Sequence, residues 1–100
     1  MLLIRDIMHC KPGKVRPMVE KFLAMAKLGE KAGMGKMRIM TDLSGERFWT
    51  VVVETEAPSF DAFMAMGQGS EEDMKEFEKL MKGYHDLVDQ GRREIYTIEQ

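Results

Sequence analysis

The sequence predicts an α+β fold: a four-stranded antiparallel sheet with helices on one face, in the order strand, helix, strand, strand, helix, strand. Three observations carry this. Hydrophobic spacing changes from strand-like to helical at Val15 and again at Ser70. The stretch Phe48 to Thr55 (Phe-Trp-Thr-Val-Val-Val-Glu-Thr) is aromatic or β-branched almost throughout. No internal repeat, low-complexity tract or linker divides the 100 residues, so one domain spanning 1–100 is expected.

Each element has its own local cause. Leu2 to Cys10 is apolar and β-compatible and stops at the turn signal Lys11-Pro12-Gly13. Val15, Met18, Val19, Phe22, Met25, Ala26 and Gly29 then recur at helical spacing, with Lys14, Arg16, Glu20, Lys21 and Lys27 on the other side. Pro17 falls in the first turn, where a missing N–H costs little, and Gly33 and Gly35 end the helix. Lys36 to Asp42 reads as a strand and Asp42-Leu43-Ser44-Gly45 as the turn into Phe48–Thr55, a central strand apolar on both faces. Ser59 caps a short helix carrying Phe60, Phe63 and Met64, which Gly67-Gln68-Gly69 breaks. Ser70 followed by Glu71, Glu72 and Asp73 marks a helix start, a capping hydroxyl with acids at the positive end of the dipole. Met74, Phe77, Met81, Tyr84 and Val88 form its expected buried stripe; Gly91 closes it, and Arg92 to Ile98 is the last strand. The order is the split βαβ pattern of a ferredoxin-like sandwich. Its second sheet face would be uncovered beside an apolar strand, which predicts a homodimer packed over that face.

Composition excludes several functions. Fifteen Lys+Arg against 17 Asp+Glu give a net charge of −2, which offers no electrostatic case for nucleic acid or an anionic membrane surface. No apolar run approaches a membrane span, and Met1-Leu2-Leu3-Ile4 leads directly into Arg5-Asp6, unlike a signal peptide. The single cysteine, Cys10, cannot form an internal disulfide, and a cytoplasmic location is expected.

The strand leading into Lys11-Pro12-Gly13-Lys14 and its helix, the strand Phe48–Val53, and the closing Gly91-Arg92-Arg93-Glu94-Ile95-Tyr96 together resemble the dimeric α+β barrel superfamily. Within it the chain is most similar to the small NIPSNAP-like and antibiotic-biosynthesis-monooxygenase-like proteins. The resemblance covers nearly the whole chain and implies a homodimer whose sheets pack face to face, with a cavity between each sheet and its helices. Some members are cofactor-independent oxygenases, some degrade haem, and many have no known activity. Haem-degrading members use an Asn on the first strand, a Trp on the third and a His on the second helix. Here Trp49 and His85 are present, but the chain has no Asn and His85 lies late, so those roles do not transfer.

The residues themselves name no catalytic set. His9 and Cys10, as strand neighbours, point to opposite faces and cannot pair as a nucleophile and base. Met34, Met37 and Met40 suggest a soft-metal site, but Met37 and Met40 fall on opposite sheet faces, and core packing explains them better. No metal spacing, dinucleotide fingerprint or serine elbow occurs, and no cofactor or metal is expected. Lys11, Lys14 and Arg16 read as a solvated rim. Charges inside strands (Arg5, Asp6, Arg38, Glu54, Arg93, Glu94) need partners, and Glu54 is expected to pair with Arg5 or Arg38. The expected ligand-binding residues are Trp49, Tyr84, His85 and His9, with Trp49, Tyr84 and His85 walling a cavity between sheet and helices for an apolar or aromatic molecule. The alternatives are a cofactor-independent monooxygenase acting on an aromatic substrate and a purely structural dimer.

Overall fold

The structure, a computed structural model, describes residues 1–31, 33, 35–66 and 70–100. Its sheet has the order β2-β3-β1-β4, with every neighbouring pair antiparallel. β1 (Leu2–Cys10) is therefore central, followed by α1 (Val15–Lys31), β2 (Met37–Thr41), β3 (Thr50–Ala57), α2 (Phe60–Met66), α3 (Glu71–Met81), α4 (Tyr84–Leu87) and β4 (Val88–Thr97). This is the predicted ferredoxin-like arrangement, with the second crossover carried by three helical pieces instead of two. Met34 and the Gly67-Gln68-Gly69 break lie outside the described residues.

Strand alternation sorts the sheet into two chemically different faces. Met8 and Cys10 of β1 and Val51 and Val53 of β3 point at the helices and meet Met18, Val19, Phe22 and Met25 of α1, which together form the core. Leu80, Met81, Tyr84 and Leu87 pack against the same cluster, so α1, α3 and α4 share one face. Arg5, Ile7 and His9, with Met40, Val52 and Glu54, face the other way and border a second concavity. The loop 42–49 folds over part of that open face, which explains how Ile7 and His9 are buried without any helix above them.

The two serine caps form as expected: Ser59 Oγ accepts from the Ala62 amide and Ser70 Oγ from the Asp73 amide, each at 3.1 Å. Two boundaries differ from the prediction. β3 begins at Thr50, two residues late, because the chain bends sharply before it. Thr50 is tied to Asp42 in both directions, its amide donating to Asp42 Oδ1 at 2.8 Å and its carbonyl accepting the Asp42 amide at 3.2 Å. Trp49 takes φ +61°, a left-handed conformation that is uncommon for a bulky residue. The strand is consequently not apolar on both faces: Val51 and Val53 are buried against the helices, while Thr50, Val52 and Glu54 occupy the open side.

The second correction concerns the long helix expected from Ser70 to Val88. Gly83 (φ +86°) interrupts it after Met81, and Lys21 of α1 donates to the carbonyls of Leu80 and Lys82, satisfying acceptors that a continuing helix would have used. Val88 thus begins β4, Gly91 lies inside that strand, and Met74 and Phe77 of α3 remain exposed instead of forming a buried stripe. Among the described residues no helix is long and apolar enough to cross a membrane.

Candidate functional site

The structure contains a cavity between the sheet and its helices, with a volume of about 400 Å³. Its floor is strand residues Ile4, Val53 and Thr55, and its walls are Phe22, Met25 and Ala26 of α1 with Phe63, Met64, Met74 and Phe77 of α2 and α3. The thioethers are placed by local geometry. Met25 follows Phe22 on the inner stripe of α1, and Met37 faces the cavity while Met40 faces the opposite side of the sheet, as strand alternation requires. Such a lining is apolar and adaptable, because methionine has three rotatable bonds and a polarizable sulfur.

Charged residues interrupt it: Lys36 and Asp73, and an ion pair. Asp6 and Arg93 stand opposite each other in the β1–β4 register and form a two-pronged ion pair, Arg93 Nε to Asp6 Oδ1 at 2.6 Å and Arg93 Nη2 to Asp6 Oδ2 at 3.2 Å. The guanidinium also lies 5.2 Å from the centre of the Phe63 ring. The hydrogen bonds that Arg93 donates to Asp6 raise its pKa further, so this cation is permanent. Two of its five N–H groups serve Asp6.

The four residues expected to bind a ligand do not assemble there. Tyr84 packs edge-on against Phe22, with ring centres 6.4 Å apart, and His85 stacks edge-on against Tyr84 at 5.3 Å, but neither borders the cavity. Burial first, and then the negative charge of Asp6, push the Tyr84 hydroxyl pKa up, so it remains a neutral donor. His85 is exposed on the four-residue α4. Trp49 lies at the lip of the loop 42–49, 44 % exposed, because the bend before Thr50 removes it from the strand. His9 faces the second concavity, on the opposite side of the sheet. Sequence reasoning missed Asp6, Arg93 and Phe63 as neighbours; the available signal was two opposite charges on strands that the topology pairs.

The open face also carries a row of alternating charge. Arg38, Glu54, Arg5 and Glu94 come from β2, β3, β1 and β4 in that order and sit directly opposite one another in the register. Arg5 Nε meets Glu54 Oε2 at 2.8 Å, Arg38 lies 3.9 Å from Glu54 and Arg5 3.8 Å from Glu94. Both partners expected for Glu54 are therefore present. Tyr96 extends the row, its hydroxyl donating to Glu94 Oε1 at 3.0 Å beneath the Arg5 guanidinium.

A NIPSNAP domain protein from Burkholderia xenovorans, itself uncharacterized, superposes with a TM-score of 0.78 at 13% identity, covering 98% of this chain and 94% of that one. The fold is that of the NIPSNAP and antibiotic-biosynthesis-monooxygenase-like proteins. Protein Atu4242 from Agrobacterium tumefaciens, similar at 12% identity with a TM-score of 0.79, covers 97% of this chain and is covered to 92%. A proposed antibiotic biosynthesis monooxygenase from Nitrosomonas europaea matches over 100% of both chains at 12% identity and a TM-score of 0.75. No protein-family model and no curated protein matches the sequence. At these identities the NIPSNAP-like likeness is one of fold, and the chemistry of the site has to be argued from the residues described above.

Proposed function

We propose that this protein is a homodimer that binds a small apolar or aromatic molecule in the cavity between the sheet and the helices. The observation that carries the reading is the cavity itself, about 400 Å³ lined by Phe22, Phe63, Phe77 and the thioethers of Met25, Met37, Met64 and Met74. A space of that size and lining suits a guest of one or two rings. The Asp6–Arg93 pair supplies the polar group, since the guanidinium N–H groups not engaged with Asp6 are free to meet one acceptor on the guest. Binding without chemistry is preferred to cofactor-independent oxygenation because the cavity wall, among the described residues, includes no Tyr or Trp to carry a radical and no His, and of its two carboxylates Asp6 is held by Arg93 while Asp73 sits in the first turn of α3.

The second copy is assigned to the open sheet face. Leu43, Phe48 (83 % exposed) and Trp49 stand out from the loop that borders this face, an apolar group that a monomer would leave in water. The row Arg38, Glu54, Arg5, Glu94 complements itself: rotated about a two-fold axis parallel to the strands, it reverses, setting Arg38 against the partner's Glu94 and Glu54 against the partner's Arg5.

Trp49 is remote from the cavity, so its fluorescence is not the reporter of choice. The test is titration with N-phenyl-1-naphthylamine, an uncharged probe that brightens in apolar surroundings, with light scattering on the same sample. Saturable enhancement at one probe per chain, reversed by unlabelled aromatic competitors, is expected from a particle of twice the chain mass. Absence of saturable binding would overturn the ligand reading, and a monodisperse monomer at micromolar concentration would overturn the dimer. Oxygen uptake with a quinol panel, abolished by a cavity substitution, would shift the assignment to the oxygenase.

A further inference from the structure

The concavity on the open sheet face is chemically the reverse of the first cavity. It holds about 340 Å³ and is bordered by His9 with Arg5, Arg47 and Arg92. His9 is only 6 % exposed, and its ring is oriented by a short relay. Thr50 Oγ1 has one proton, which it donates to the Arg47 carbonyl at 2.8 Å. The 3.1 Å contact between His9 Nδ1 and Thr50 Oγ1 must then be donated by the imidazole. The neutral ring therefore carries its proton on Nδ1 and a lone pair on Nε2. Nε2 bonds to no described residue. Among the described residues no buried side-chain nitrogen or oxygen lacks a partner, so Nε2 opens onto the concavity.

Three arginines and three carboxylates (Asp42, Glu46 and Glu54) border the space, and at the His9 ring the nearer cations weigh more. Burial first, then Arg47 and Arg92, lower the His9 pKa, and these two cations outweigh the opposing Glu46 and Asp89. The other carboxylates that line the space are engaged: Glu54 by Arg5 and Arg38, and Asp42 by the Thr50 amide. Arg47 holds Gln90 at 3.2 Å and approaches Asp89 at 3.8 Å, and Arg92 holds Glu94 at 3.2 Å, which leaves N–H groups on both for a ligand.

A lone pair flanked by the guanidinium groups of Arg47 and Arg92 selects for two properties at once. A neutral alcohol would satisfy the lone pair but not the charge, and a fully deprotonated anion would satisfy the charge but meet the lone pair with one of its own. We propose that the open-face concavity is a binding site for a small protic oxyanion, whose O–H donates to His9 Nε2 and whose charge is held by Arg47 and Arg92. The residues belong to one chain, so the site needs no second copy; in the proposed dimer the partner would roof it. The assignment concerns the opposite face from the apolar cavity and is independent of it.

Inorganic phosphate and sulfate separate the two properties, since phosphate retains a proton at pH 7 and sulfate does not. Calorimetry on the full chain at matched ionic strength, with the His9 ring resonances followed by NMR, reads both. Phosphate is expected to bind at least about tenfold more tightly than sulfate and to shift the His9 signals, with Arg92→Gln weakening phosphate about tenfold or more. His9→Gln, which offers an N–H as readily as a carbonyl, should bring the two anions level. Equal affinity for both in the unaltered protein would mean charge attraction alone and would overturn the assignment, as would failure of phosphate to shift the His9 resonances. The unaltered protein and the exposed Arg92 position give the answer even if the buried His9 variant does not fold.

Discussion

Ala26 borders the apolar cavity from α1, and enlarging it tests whether the space beside it is real. Ala26→Leu adds three carbons to a helix position at almost no cost in propensity, since leucine and alanine are both strong helix formers. If those carbons enter an empty, apolar cavity of about 400 Å³, they become buried without displacing a neighbour. At about 0.8 kcal/mol per buried methylene the ceiling is about 2.4 kcal/mol. Incomplete burial at a cavity wall reduces this to about 1–2 kcal/mol, a rise in Tm of roughly 4–8 °C for each kcal/mol in a domain of this size. The same carbons occupy ligand space, and N-phenyl-1-naphthylamine should bind at least about tenfold more weakly. Urea denaturation monitored by circular dichroism measures the first effect and probe titration the second. In a filled core the added volume would instead cost about 1–3 kcal/mol. A loss of more than about 1 kcal/mol with a native spectrum would therefore refute the reasoning and leave a packed interior in place of a pocket.

Three further outcomes follow from the geometry. Val52→Lys, on the open face, should yield a folded monomer by light scattering, whereas Val51→Lys, fully buried against α1, should prevent folding by placing an unpaired ammonium in the core. His9 has a pKa below its ordinary 6.5 in the folded chain, so the unfolded chain binds more protons as pH falls through 6.5; stability should decline on acidification, by at most about 1.4 kcal/mol per pH unit for one proton, and denaturation series at pH 7.5 and 5.5 should show that slope reduced in His9→Gln. Lys21→Met removes the donor to the Leu80 and Lys82 carbonyls, and should cost about 1 kcal/mol while speeding amide exchange around the end of α3 more than in β1.

What the sequence determined by itself was everything that depends on neighbours along the chain. Helical spacing from Val15, the serine caps at Ser59 and Ser70, and the opposite orientation of Met37 and Met40 follow from backbone periods that every helix or strand shares. The pairing of Glu54 with both arginines was also within reach, because a charge in the middle of a strand needs a partner on an adjoining strand. Tertiary structure decided the rest. Trp49 has the composition of a strand residue, yet it leaves the strand because Asp42 and Arg47 bind Thr50 and bend the chain, a constraint spread over nine residues. Tyr84 continues the helical spacing of Met74, Phe77 and Met81, but Lys21, on a different helix, helps end α3 before it, and Gly83 turns the chain. Asp6 and Arg93 are 87 positions apart, and only the β1–β4 register makes them one ion pair at the edge of the cavity. The same register divides the two candidate sites: alternation along β1 sends Asp6 to the apolar cavity and His9 to the charged concavity, and the sheet between them keeps the two chemistries apart.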